Sequence, residues 1–211
     1  MRILIGTSNP GKAEEFRGLL AAEGFSVITL ADIDMPSIEE TGTTFEENAV
    51  LKATAYAADT GLITIADDGG LEIDALNGAP GVYSRRWTGD EDATDEELAL
   101  AVIERMRGVL PGMRDARLRT VVTVAYPDGR VQSVSGAIEG SITDDVDLTL
   151  IRPGYPYRAL FEVTRFHKRF AELTPEEHAE VNHRRAALKQ LIPALHATEA
   201  ISAPMSLSEN R

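Results

Sequence analysis

Apolar residues fall in two rhythms along this chain. Ile3, Leu4 and Ile5 form an unbroken run that stops at Gly6, the pattern of a short buried strand. Helical spacing follows at once, with Ala13, Phe16 and Leu20 supplying the stripe of a helix over 11–23. Asn9 and Pro10 mark its start, a capping residue before a proline at the first helical position. The alternation then repeats. Residues 25–30 read as a second strand. Thr44 and Glu47 have capping-box spacing and open a helix over 44–59 that Gly61 ends. A further buried strand, 62–66, is broken by Asp67-Asp68-Gly69-Gly70 and resumes at 71–73. Thr94 with Glu97 starts a helix over 94–107, striped by Leu98, Val102 and Met106. Two β-rich runs, 118–126 and 131–142, flank Pro127-Asp128-Gly129, the clearest hairpin in the chain. Residues 143–173 show little pattern beyond a strand near 160–163. Thr174, Pro175 and Glu177 begin a last helix, 174–192, and 202–211 reads as a loose tail.

Strand–helix alternation followed by a long hairpin predicts an α/β fold with a long mixed sheet, flanking helices and two lobes around a cleft. The expected unit is 1–200, one domain with two lobes, followed by a flexible tail at 201–211. At 211 residues, 43% of them hydrophobic, the chain can bury a substantial core. Its 21 basic and 34 acidic residues give a net charge of −13, which speaks against nucleic acid or an anionic membrane as the main partner. A small anion remains compatible where cations gather locally. There is no cysteine, which excludes disulfides and thiolate metal sites. The start of the chain carries no signal-peptide pattern and no apolar run reaches membrane-spanning length, so a cytoplasmic location is the expectation.

Several constellations could carry chemistry. Lys12 is misplaced, because a cation in a first helical turn faces the positive end of the helix dipole. An anion there would reverse the sign, so Thr7, Ser8, Asn9, Pro10, Gly11 and Lys12 read as a phosphate cradle, or else as an ordinary strand-to-helix turn with its lysine in solvent. Asp67 and Asp68 end a buried strand, and adjacent strand side chains point to opposite faces. One carboxylate can therefore aim into a cleft while the other anchors the turn. With Glu39 or Glu40 alongside, the cleft would offer the hard oxygens that Mg²⁺ takes, and the alternative is a solvated acidic turn. Asn48 and Lys52 share a helix face and could reach toward phosphates, although a lysine there is as readily a surface residue. His178 and Asn182 share a face of the last helix, with His183-Arg184 following. The arginine could read a keto oxygen or phosphate, or the group is a basic patch in mid-helix. Arg85-Arg86-Trp87, after a rigid Gly-Pro turn, could line a nucleotide site or an interface.

Taken together, these segments resemble the inosine triphosphatase family, which hydrolyses non-standard purine nucleoside triphosphates. The matching stretches are Thr7-Ser8-Asn9-Pro10-Gly11-Lys12, Glu39-Glu40-Thr41-Gly42, Thr44-Phe45, Glu47-Asn48-Ala49, Lys52-Ala53, Ala66-Asp67-Asp68-Gly69-Gly70-Leu71, Gly78-Ala79-Pro80-Gly81-Val82-Tyr83-Ser84-Arg85 and His183-Arg184. The resemblance implies a homodimer that cleaves between the α and β phosphates, releasing a nucleoside monophosphate and pyrophosphate. It implies that residues 7–12 and Lys52 hold the triphosphate and that Glu40 and Asp68 bind Mg²⁺. Asp68 would also be the base for the attacking water, Asp67 would support the turn, and His183 and Arg184 would read the purine's keto edge. Gly69, Gly154, Tyr155 and His178 fall at substrate-binding positions of the same pattern.

The departures lie mostly on the base side. The family's Phe-Gly-Tyr-Asp motif is here Pro153-Gly154-Tyr155-Pro156, without the stacking ring and the acid. His178 stands for a lysine, Asn182 for a serine, and Gly69 for a hydroxyl residue. Base–aromatic stacking is worth about 1–3 kcal/mol in single-stranded nucleic-acid binding, so its loss weakens or broadens base selection unless Tyr155, Tyr157 or Trp87 compensates. Two alternatives to the deaminated-purine enzyme follow: a nucleotide-binding regulatory protein with weakened catalysis, and a pyrophosphatase with altered base specificity.

Overall fold

The structure is a computed structural model that describes residues 1–90 and 92–202. Residues 203–211, most of the expected tail, lie outside the described part. Among the described residues seven strands form one mixed sheet in the order β2-β1-β3-β4-β5-β6-β7. Strands β1 (Arg2–Ile5), β2 (Ser26–Thr29) and β3 (Ile63–Ile73) run parallel to one another. From β3 onward every pairing is antiparallel, through β4 (Asp115–Ala125), β5 (Val131–Ile142), β6 (Phe161–Val163) and β7 (Lys168–Arg169). The mixed α/β fold read from the sequence is the fold observed.

Helices cover the parallel end on both faces. On one side α1 (Pro10–Ala22) and α6 (His183–Ser202) bury Phe16, Leu20, Leu188 and Leu191 against Ile3, Ile5, Ile63, Ile65 and Val124. On the other, α3 (Phe45–Thr60) lays Ala53 and Ala57 on Ala66 and Ala125. Its ends match the chemistry expected of them: Thr44 and Glu47 form a capping box, and Gly61 closes the helix at φ +67°. Helix α4 (Asp95–Arg105) sits on the wider half of the sheet, its Leu98 and Val102 packing with Leu71, Ile138 and Phe161. The short helices α2 (Leu30–Ile33) and α5 (Pro175–Val181) complete the set.

Two expectations are overturned. Asp67-Asp68-Gly69-Gly70 does not break a strand: β3 runs unbroken from Ile63 to Ile73, paired with β4 from Thr64↔Ala125 to Ile73↔Ala116. The glycines are there for room rather than for a turn. A Cβ on Gly69 would sit 2.3 Å from the Arg119 carbonyl oxygen, and one on Gly70 would sit 2.1 Å from Ser84 Oγ. The helix expected over 174–192 is two helices that meet at Asn182, where ψ is 105°. Asn182 Oδ1 accepts from the Arg185 N–H at 2.8 Å, so it caps α6 instead of continuing α5. His183 and Arg184 thus stand at a helix start, not in mid-helix. His178 and Asn182 share no helix face.

Gly136 on β5 sets how closely that start approaches the sheet, because a Cβ there would lie 2.4 Å from the His183 carbonyl oxygen. Gly136→Ala is expected to destabilise the protein by about 1–3 kcal/mol, the usual cost of overpacking a fixed backbone contact. Urea unfolding measures it, and an unchanged midpoint would contradict the close approach.

Candidate functional site

A cavity of about 410 Å³ opens where β1, β3 and the starts of α1 and α6 converge. The cradle contributes Thr7, Ser8, Asn9, Pro10 and Lys12. Glu40, Lys52, Asp68, Gly69, Gly154, Tyr155, His183 and Arg184 line it as well. Six cations (Lys12, Lys52, Arg85, Arg119, Arg158 and Arg184) and two carboxylates (Glu40 and Asp68) face this space. An acidic protein has gathered its positive charge here, as an anionic ligand requires.

The cradle is built by Asn9, whose Oδ1 accepts from the N–H groups of Gly11 at 2.9 Å and Lys12 at 3.2 Å. Those two donors are therefore spent on the cap, and the groups left to meet an anion are chiefly the Lys12 ammonium and the hydroxyls. Asn9 Nδ2 also donates to the Gly154 carbonyl at 3.1 Å, which ties the 153–156 segment to the cradle. Gly154 has φ +78° and no space for a Cβ beside Asn9, so only glycine suits it. Gly11 lies beneath the Tyr155 ring, 2.5 Å from where its own Cβ would be.

The two adjacent aspartates occupy opposite faces of β3. Asp67 is fully buried toward α1 and α6, and its Oδ2 meets Lys12 Nζ at 3.1 Å, Arg184 Nε at 3.1 Å and the Thr120 hydroxyl at 3.2 Å. Burial opposes its charge, but Lys12, Arg184 and Lys52 outweigh it and hold the carboxyl far below the usual range. The expectation that Asp67 supports a turn is thus corrected: it is a mid-strand anchor for two cations. Its Oδ1 is buried without a hydrogen-bond partner.

Asp68 points toward α3. Its Oδ2 accepts from Asn48 Nδ2 at 3.0 Å and its Oδ1 from the Gly69 N–H at 2.8 Å. Burial raises its pKa, Glu40 adds to the rise and Lys52 opposes it. Lys52 is no surface lysine. Its ammonium donates to the Asp67 carbonyl at 2.7 Å and to Glu40, and although burial pulls its pKa down, the three surrounding carboxylates raise it.

The base side differs from expectation. His183 is buried with Nδ1 unpartnered, and burial beside Arg184 and Arg158 keeps it neutral. His178 is not among the residues lining the cavity. It lies behind the wall, edge-on to Phe170 at 5.0 Å. The three rings that could compensate for the missing stacking residue are each engaged elsewhere. Tyr155 is covered by Gly11 and by the Arg158 guanidinium, 3.5 Å from the ring centroid. Tyr157 is buried with its hydroxyl on the Ser84 carbonyl, and the half-buried Trp87 packs against the core with Arg105 over its ring. Arg85 lines the cavity while Arg86 braces the Glu40 carbonyl at 3.2 Å. Sequence reasoning missed Thr120, Glu15 and Arg158. Glu15 and Arg158 pair across 143 residues, and no local pattern signals that.

Residues 3–194 match the Ham1 family. The dITP/XTP pyrophosphatase of Exiguobacterium sp. is 45% identical over 192 residues, covering 90% of this chain and 95% of its own. That of Bacillus subtilis is 40% identical over 195 residues, covering 92% and 96%. The Staphylococcus aureus Ham1 protein superposes with a TM-score of 0.80 at 33% identity, covering 94% of this chain and all of its own.

Replacing Asp67 by Asn is expected to cost about 3–5 kcal/mol, since it strips the counter-charge from buried Lys12 and Arg184. The sign with pH follows from its depressed pKa. The wild-type advantage is complete above the ordinary carboxylate value of 3.8 and is lost as pH falls toward the folded-state pKa. Unfolding of both proteins from pH 7 down to acid checks this, and parallel curves would contradict it.

Proposed function

The chain belongs to the Ham1 family, and from that membership and the cavity's geometry we propose that it is a pyrophosphatase of non-standard purine nucleoside triphosphates. Inosine, deoxyinosine and xanthosine triphosphates would be hydrolysed between the α and β phosphates, clearing them from the nucleotide pool. The observation that carries the reading is the shared cavity: Lys12 and Lys52 face the same space as Glu40 and Asp68. Cations to grip a polyphosphate stand beside carboxylates able to handle a metal and a water.

In this reading Thr7, Ser8 and Lys12 hold the phosphate tail, with Lys52 assisting. The donor set fits Mg²⁺. Of the two oxygen ligands, Glu40 raises the cost of ionising Asp68, which a cation relieves. Among the described residues no group of three or more ligating side chains stands together, so water and substrate phosphates would complete the shell. Bound there, the ion would neutralise charge on the phosphates. Asp68 accepts the proton of the attacking water, and its raised pKa brings its basicity nearer to neutral pH. Arg184 and His183 face the base. A cytoplasmic homodimer, with no nucleic acid or membrane as partner, belongs to the same proposal. Among the described residues no helix is long and apolar enough to cross a membrane.

The engagement of Tyr155 by Arg158, of the Tyr157 hydroxyl by Ser84 and of Trp87 by Arg105 favours a second reading, the same reaction with base choice broadened for want of a stacking ring. One panel separates them. Pyrophosphate release from inosine, xanthosine and the standard triphosphates, with Mg²⁺ and with chelator, is expected to rank the deaminated purines first and to require the ion. Asp68→Asn should cut kcat by about 10²–10⁴. Equal kcat/KM across bases would select the broadened enzyme. Tight nucleotide binding without turnover would overturn both and leave a regulatory protein.

A further inference from the structure

Pro153 and Pro156 leave the turn between them with two backbone N–H groups, those of Gly154 and Tyr155. Tyr155 spends its own inside the turn, on the Arg152 carbonyl at 2.9 Å. Gly154 therefore carries the one amide with which this turn can hold on to another element, and it donates to Asp95 Oδ2 at 2.7 Å. Asp95 is the first residue of α4, on the wider half of the sheet. It does not line the cavity itself, but its other oxygen stands 3.9 Å from Arg85, which does. The carbonyl of the same glycine accepts from Asn9 Nδ2, in the cradle, at 3.1 Å. A single residue thus joins the start of α4 to the start of α1, and Gly154, Tyr155 and Pro156 all face the cavity.

We propose that Asp95 is a positioning residue for the nucleoside end of the substrate: by holding the Gly154 N–H it fixes the Pro153–Pro156 turn against the cradle, with Tyr155 over Gly11. The proposal rests on the nucleotide pyrophosphatase reading and names what sets the base-side wall of the cavity when its turn carries no stacking ring. A carboxylate acceptor makes this bond about twice as strong as a neutral one, and the two prolines leave the turn no spare amide to replace it. The phosphate end is held separately. Asn9 caps α1 through Oδ1, whereas Gly154 meets its Nδ2. Loosening the turn therefore costs grip on the nucleoside and leaves grip on the polyphosphate intact. Asp95 also places negative charge in the first turn of α4, where the helix dipole favours it. Glu96, exposed in the same turn, shares that benefit but not the bond to Gly154.

The test uses the full chain with Asp95→Ala, Asp95→Asn and, as a control for first-turn charge, Glu96→Gln. Hydrogen exchange of the Gly154 amide is followed by NMR. Binding of inosine triphosphate and of inorganic tripolyphosphate, which has no nucleoside, is measured by calorimetry with chelator present, and KM and kcat by pyrophosphate release. Asp95→Ala is expected to speed exchange at Gly154 and to raise both Kd and KM for inosine triphosphate by about tenfold, the loss of one charge-assisted hydrogen bond. kcat should fall by less than about threefold. Tripolyphosphate affinity should hold. Asp95→Asn keeps an acceptor in place and is expected to stay within about threefold of wild type, as is Glu96→Gln. Wild-type affinity for inosine triphosphate in a folded Asp95→Ala would overturn the proposal, and so would an Asn variant as impaired as the Ala one. Parallel loss of tripolyphosphate and nucleotide binding, the mark of a merely structural role, would overturn it too. If Asp95→Ala does not fold, the wild-type Gly154 amide decides: inosine triphosphate is expected to slow its exchange more than tripolyphosphate does, and equal effects overturn the proposal. Should the wild-type chain release no pyrophosphate, the functional reading fails, and the affinities and the exchange still decide the role of Asp95.

Discussion

One buried carboxylate organises this molecule's chemistry. Asp67 lies in the middle of the sheet and draws to itself Lys12, from the first turn of α1, and Arg184, from the first turn of α6, 117 residues away. Each cation sits at the positive end of its own helix, where the dipole disfavours it. A single ionised oxygen offsets both and pins two helix starts to one strand. Removing the anchor would release the two helix starts that frame the cavity, which makes the architecture and the site one problem.

The strand's two-residue period then separates structure from reactivity. Asp67, on the α1–α6 face, is held ionised by cations. Asp68, on the α3 face, meets Asn48 and the negative charge of Glu40, and its affinity for a proton rises. Neighbours one peptide apart thus acquire opposite tendencies from the faces they occupy. Lys52 links the halves, bonding the Asp67 carbonyl with the same ammonium that meets Glu40.

Much of this was legible in the residues. Capping chemistry at Asn9, Thr44 and Thr94 located helix starts, and the runs around Pro127-Asp128-Gly129 located the β4–β5 hairpin, because those signals are local. The misplaced Lys12 pointed to a compensating anion. Part of that anion is supplied by the protein itself, as Asp67. Failures came where glycine was read as a turn: Gly69 and Gly70 answer to Arg119 and Ser84, contacts invisible along the chain. Asn182 was read as a helix-face residue because it stands four residues after His178 within one expected helix, whereas its side chain is committed to capping α6. The base side was least legible. The Glu15–Arg158 pair spans 143 residues, and the loss of a stacking ring says nothing of what replaces it.

The opposed protonation of the two aspartates is the claim on which the rest turns, and a carboxyl ¹³C titration of the metal-free protein by NMR addresses it most directly, with Asp67→Asn and Asp68→Asn assigning the signals. The account predicts that Asp67 stays ionised well below the ordinary value of 3.8 while Asp68 takes up its proton above it. Two carboxyls titrating together near that value, or in the reverse order, would contradict it.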